Sequence, residues 1–180
     1  MEQTFSFKLK SMAEELNLKP LYKSTDYDEK LLTNAEVHRP SLQLDGFYTY
    51  FDPNRIQILG GMEIEFVAPY SSAERRRKYD DLFSRKVPAV IVTSDRDPGV
   101  EMLESAKQYD ISVFSTSSNT SQIMTDVLRV LGRELAPRIT RHGVLVEVYG
   151  IGVLIVGESG IGKSETAIEL IKRGHRLVAD

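Results

Sequence analysis

Two rhythms of apolar positions alternate along the middle of this chain. Pro88-Ala89-Val90-Ile91-Val92-Thr93 and Ile111-Ser112-Val113-Phe114-Ser115 are short apolar runs that read as buried strands. Between and after them, Pro98–Tyr109 and Ser121–Leu135 read as helices, the second with Ile123, Met124, Val127, Leu128 and Leu131 at helical spacing. Strand, helix, strand, helix predicts a parallel sheet joined by right-handed crossovers.

Upstream the pattern is shorter-ranged. Ser6–Leu16 reads as an amphipathic helix with Phe7, Leu9, Met12, Ala13 and Leu16 apolar. Leu18–Tyr22 reads as a strand that Pro20 confines to a sheet edge, and Lys23–Lys30 as loop. In Val37–Phe51, Leu42 and Leu44 alternate with polar residues before an aromatic cluster, which predicts a core-facing sheet edge. Arg55–Gly60 reads as a strand ending in a turn. Ser71 or Ser72 can cap a charged helix running to about Ser84, with Tyr79, Leu82 and Phe83 inward and Arg75-Arg76-Arg77-Lys78 on a solvated face. Ser115–Ser121 is taken as a polar connection, with anion capture at the helix start the weaker alternative.

Ala136-Pro137-Arg138 ends the last of these helices and predicts a domain boundary, giving an N-terminal α/β domain over 1–135 and a second domain over 136–180. Val144–Tyr149 reads as a strand, Gly150-Ile151-Gly152 as its link, and Val153-Leu154-Ile155-Val156 as the next strand. So short a link can close only an antiparallel hairpin, because parallel neighbours need a dozen or more connecting residues.

The second strand runs into Gly157-Glu158-Ser159-Gly160-Ile161-Gly162-Lys163-Ser164, a G-x-x-x-x-G-K-S phosphate-binding loop, and a helix over Glu165–Arg173 follows. The glycines let backbone N–H groups curl inward onto phosphate oxygens, and the helix start adds free N–H groups and its positive dipole end. Lys163 would reach the outer phosphates, and the Ser164 hydroxyl would ligate Mg²⁺. The motif names a nucleotide or phosphate ligand and leaves the reaction open. In ordinary P-loop NTPases the neighbouring strand is parallel, so an antiparallel neighbour sets this chain apart.

Composition changes the picture little. The 180 residues carry a net charge of −3, with 41% hydrophobic and 27% charged residues, which fits a globular protein and gives no basic surface for nucleic acid. With no cysteine, disulfides and thiolate metal sites are excluded. Met1-Glu2-Gln3-Thr4 begins no signal peptide and no apolar run approaches a membrane span, so a cytoplasmic protein is expected.

From His142 to Gly157, through Ser159–Ala167 and on to Lys172-Arg173-Gly174-His175-Arg176-Leu177-Val178-Ala179-Asp180, the chain closely resembles the HPr kinase/phosphorylase family. Arg39-Pro40, Gly46-Phe47-Tyr48-Thr49-Tyr50 and Arg55–Gly60 agree more loosely. The resemblance implies a first domain similar to a domain of the Mur ligases, followed by the start of a phosphoenolpyruvate-carboxykinase-like P-loop domain. It implies ATP- and Mg²⁺-dependent phosphorylation of a serine of the phosphocarrier HPr, and reversal by inorganic phosphate with release of pyrophosphate, in the control of carbon catabolite repression. It also implies a homohexamer responsive to fructose 1,6-bisphosphate. On this resemblance His142 is a catalytic residue that orients or tunes the acid/base, beside Lys163.

The family pattern continues Val-Ala-Asp-Asp, its second Asp accepting the serine proton, with a Mg²⁺-ligating Glu and a catalytic Arg further on. Here the chain stops at the first, Asp180, so a fragment of a longer protein, itself inactive, is expected. Its stretch from Thr140 is expected to fray or associate, because the apolar faces of Val144, Val146, Leu154 and Val156 would lack a covering layer. Two alternatives stay open: another P-loop NTPase, or a non-catalytic binding or assembly module.

Overall fold

The structure, a computed structural model, describes residues 5–138 and 141–180. The Met1–Thr4 start read above, together with Ile139 and Thr140, lies outside the described residues. Two compact units result, dividing between Pro137 and Arg138.

The first unit is a three-layer α/β sandwich. Its elements are β1 (Phe7–Lys8), α1 (Leu9–Glu15), β2 (Lys19–Tyr22), β3 (Leu31–Leu32), β4 (Val37–His38), β5 (Ile56–Leu59), α2 (Gly61–Val67), α3 (Ser72–Phe83), β6 (Ala89–Val92), α4 (Gly99–Tyr109), β7 (Ser112–Ser115) and α5 (Thr120–Glu134). The main sheet runs β2-β7-β6-β5-β4, with β4 to β7 mutually parallel and β2 antiparallel at one edge. Pro20 therefore stands on an edge strand, where its missing N–H costs least. β1 and β3 form a separate two-stranded pair.

Alternation along the buried strands feeds two cores. Ile56, Ile58, Ala89, Ile91 and Phe114 face α1 and α5. Leu59, Val90, Val92 and Val113 face α2, α3 and α4. Both faces are covered, so β6 reads as an unbroken apolar run. The Ser71 hydroxyl accepts from the Glu74 N–H and the Glu74 carboxylate reaches back to the Ser71 N–H, closing the capping box that starts α3. Asn119 caps α5 through the Gln122 N–H at 2.9 Å.

Three local expectations are corrected. Only Val37–His38 of Val37–Phe51 is strand; Gln43–Asp45 is a 3₁₀ turn that turns Leu44 into the core and leaves Leu42 63% exposed. The strand at Ile56–Leu59 leads straight into α2, which the pattern did not predict. The Arg75–Lys78 run does not face solvent as a block. Arg75 pairs with Glu101, Arg76 with Asp80 and Glu104, and Lys78 donates to the Leu44 carbonyl at 2.7 Å.

The second unit comprises β8 (Gly143–Val148), β9 (Ile151–Val156), α6 (Lys163–Lys172) and β10 (Arg176–Ala179). Its sheet order is β10-β8-β9, both neighbours of β8 being antiparallel to it. The hairpin closes on two residues, Tyr149 and Gly150, with φ of 51° and 81°. Positive φ at both positions matches the type I′ turn that suits strand twist, so the link is one residue shorter than the pattern predicted.

The expectation of bare apolar faces holds for one side only. Val144 and Val146 are buried under α6 with Ala167, whereas Leu154 and Val156 are 47% and 59% exposed. Gly143 opposes Val156, and a Cβ there would come within 2.5 Å of the Ile155 carbonyl oxygen. Backbone cannot yield cheaply, so Gly143→Ala is expected to destabilise the second unit by roughly 1–3 kcal/mol. Faster amide exchange across β8 and β9, with β5 to β7 unchanged, would register it.

Candidate phosphate-binding site

β9 delivers the chain to Gly157, and α6 begins at Lys163, two residues earlier than its periodicity indicated. The intervening loop turns through Gly160 and Gly162, with φ of 81° and 99°. A side chain at either position would be strained, which is the physical reason the motif needs glycine there. The Gly162 carbonyl accepts from the Thr166 N–H at 3.0 Å and the Thr166 hydroxyl at 2.8 Å, fixing the first turn of α6.

Lys163 folds back over the loop. Its ammonium donates to the Gly157 carbonyl at 3.0 Å and the Glu158 carbonyl at 2.7 Å. An ammonium has three donors, so one remains beyond these two contacts. Glu158, Ser159, Gly160, Ile161 and Ser164 are exposed along the rim, so the loop backbone is open to a ligand. Among the described residues no three His, Cys, Asp or Glu side chains gather into a metal group, so the metal reading rests on Ser164 and on oxygens of the nucleotide itself.

His142 immediately precedes β8 and is exposed. With Arg141, Leu154, Val156 and Gly157 it lines an open concavity of about 480 Å³. The antiparallel register brings this about: Gly143 pairs with Val156, so the residue before β8 and the residue after β9 meet at one end of the hairpin. His142 and the first loop glycine, fifteen positions apart in sequence, thus share a surface. The sequence did not single out Arg141 on the same surface; only the register reveals it.

The G-x-x-x-x-G-K-S loop sits at the end of a strand whose hydrogen-bonded neighbour is antiparallel, an arrangement distinct from ordinary P-loop NTPases, where the neighbour is parallel. Comparison with known proteins gives the family. Residues 7–131 match "HPr Serine kinase N terminus" and residues 133–180 match "HPr Serine kinase C-terminal domain". The chain is 48% identical over 166 residues to the HPr kinase/phosphorylase of Caldicellulosiruptor bescii, covering 92% of this chain and 53% of that protein. It is 44% identical over 172 residues to that of Clostridium tetani, covering 96% and 56%. The chain belongs to the HPr serine kinase family, and it spans about half the length of these relatives.

A solved structure of the CBS and DRTGG domains of the regulatory region of Clostridium perfringens pyrophosphatase, complexed with the activator diadenosine tetraphosphate, resembles the chain with a TM-score of 0.51 at 18% identity. It covers 72% of this chain and 50% of the other, and at that identity it supports the mixed α/β fold alone.

Proposed function

We propose that the protein uses ATP to phosphorylate a serine of the phosphocarrier HPr and uses inorganic phosphate to remove it again, releasing pyrophosphate. The observation that carries this reading is the P-loop on an antiparallel hairpin with His142 brought beside Gly157. The relatives' name, HPr kinase/phosphorylase, supplies the substrate.

The residues fit a nucleotide and a metal. The loop backbone from Gly157 to Gly162, turned by positive φ at Gly160 and Gly162, would hold the phosphates together with the Lys163 ammonium, and Ser164 would offer its hydroxyl to Mg²⁺. Bound Mg²⁺ neutralises phosphate charge as it develops. The protein's own contribution is positioning and charge, since phosphoryl transfer asks for little covalent help. Amides and an ammonium that hold the β-phosphate of ATP also suit free phosphate. In reverse, a phosphate oxygen attacks the phosphorus of phosphoserine, the serine oxygen leaves with a proton, and pyrophosphate forms. One cradle therefore serves both directions.

His142 is assigned to the acid/base apparatus, orienting the group that exchanges the serine proton. The domain division at 135/136 is supported by the compact-unit boundary after Pro137 and by the family boundary between residues 131 and 133. The sequence resemblance is the ground for extending the proposal to a homohexamer responsive to fructose 1,6-bisphosphate, with a role in carbon catabolite repression. A cytoplasmic location is proposed because it fits a partner of the sugar phosphotransferase system.

His142→Ala, in the protein as its gene encodes it, tests the assignment. Mg·ATP affinity by calorimetry is expected to stay within about twofold while turnover at saturation falls by about 10²-fold. A drop in affinity with turnover intact makes His142 a binding residue and sinks the acid/base role.

A further inference from the structure

The first unit holds a pocket of about 220 Å³ between α2, α3 and the start of α4. Ile64, Val67, Ala68 and Pro98 form its apolar wall, and Tyr79, Arg75 and Glu101 bring polar groups to it. An apolar cavity of about 150 Å³ already accommodates benzene. This one matches a molecule of roughly bicyclic size.

Its polar groups are unequally engaged. Arg75 donates through Nε to Glu101 at 3.2 Å and through Nη1 to the Tyr70 carbonyl at 2.8 Å. Asp97, also on the rim, accepts from the Gly99 N–H at 2.9 Å. Tyr79 differs. It is only 2% exposed, it lines this pocket, and its hydroxyl makes no hydrogen bond among the described residues without being one of their fully buried, unpartnered polar atoms. A hydroxyl that keeps a little access takes its partner from whatever occupies the space beside it.

The charges define what could supply one. Arg75 and Glu101 neutralise each other, and Asp97 leaves the rim slightly negative, which disfavours phosphates and carboxylates. Burial, reinforced by the Glu101 carboxylate, pushes the Tyr79 hydroxyl up to about 12, so it keeps its proton near neutral pH. We propose that this pocket binds a small, uncharged, mainly apolar molecule whose single polar group hydrogen-bonds the Tyr79 hydroxyl. The inference concerns the first unit alone and stands apart from the reading of the P-loop.

The test is an amide NMR titration of the full chain with indole, and with indene, which has the same shape without the N–H. Indole is expected to give saturable shifts centred on Ile64, Val67 and Gly99, with a Kd tighter than about 1 mM. Tyr79→Phe is expected to weaken indole about fivefold, to leave indene unchanged and to keep the unfolding midpoint, because the lost hydroxyl has no partner within the protein. Ala68→Trp, at an exposed position on the wall, is expected to abolish both shifts without unfolding the chain. Non-saturable or scattered shifts mean a pocket filled by water only and overturn the proposal. So does indole binding unchanged in Tyr79→Phe, or a lowered midpoint in that variant, which would give the hydroxyl an internal partner.

Discussion

On the proposed function, Lys163→Ala is expected to abolish phosphorylation and dephosphorylation of HPr together, each by at least about 10²-fold, in the protein as its gene encodes it. In that reading both directions place charged phosphate against the same loop, and Lys163 is the cation that the loop itself carries. In the structure its ammonium bridges the Gly157 and Glu158 carbonyls, so the substitution also removes two hydrogen bonds that tie the loop to the start of α6. The helix should survive, because alanine is the best helix former and α6 starts at this residue. Measured side by side, kinase turnover with Mg·ATP and phosphorylase turnover with inorganic phosphate should fall in step. Loss of one with the other intact would show that the two reactions do not share the cradle.

The second large effect is on stability. Glu63 is fully buried in the first unit, and its side chain accepts from Arg39 Nε at 3.1 Å and Nη2 at 3.0 Å, from the Ser41 hydroxyl at 2.6 Å and from the Gly60 N–H at 2.8 Å. Burial alone would push this carboxyl up. The hydrogen bonds from Arg39, Ser41 and the Gly60 N–H outweigh burial and hold it below the usual glutamate range. Arg39→Ala leaves a buried carboxylate without its cation and is expected to cost about 3 kcal/mol, the low end for buried pairs that lose one partner. The low end applies because about a third of the Arg39 side chain, 35%, meets solvent.

The sign of the pH dependence follows from the same network. A carboxyl with a depressed folded-state pKa contributes stability above its unfolded value, and that stability is lost as pH falls through the folded value. The native protein should therefore lose urea resistance on acidification below the ordinary glutamate range. Arg39→Ala should lose less there, having lost most of the contribution already. Equal midpoints for the two proteins at neutral pH would show that the pair contributes nothing.

What the sequence makes legible is whatever depends on neighbours in the chain. The unbroken run Ala89–Val92 announces a strand covered on both faces, and the spacing of Ile123, Val127 and Leu131 announces the inner face of α5. The short link after Val148 dictates an antiparallel hairpin before any coordinate is known, and the register of β8 against β9 agrees with it. Helix α2 escapes because it has seven residues, opens on two glycines and leaves Met62 and Phe66 exposed, so no apolar stripe marks it.

Partners distant in sequence escape for a different reason. The cations Arg75 and Arg76 look like a solvated run until α4 brings Glu101 and Glu104 alongside, and Arg39 lies 24 positions from Glu63. The strand, loop and helix around Gly157–Ser164 follow from local pattern, and β9 and α6 flank the loop as that pattern requires. The meeting of His142 with Gly157 depends on pairing across the hairpin, and composition and periodicity carry no trace of it.

The most direct test of the proposed function is to incubate the protein, as its gene encodes it, with HPr and Mg·ATP and to read HPr by mass spectrometry. One phosphoserine is predicted, and inorganic phosphate added afterwards should remove it with formation of an equal amount of pyrophosphate. HPr that stays unmodified while the protein binds Mg·ATP, or phosphoserine that hydrolyses without pyrophosphate, would contradict the account.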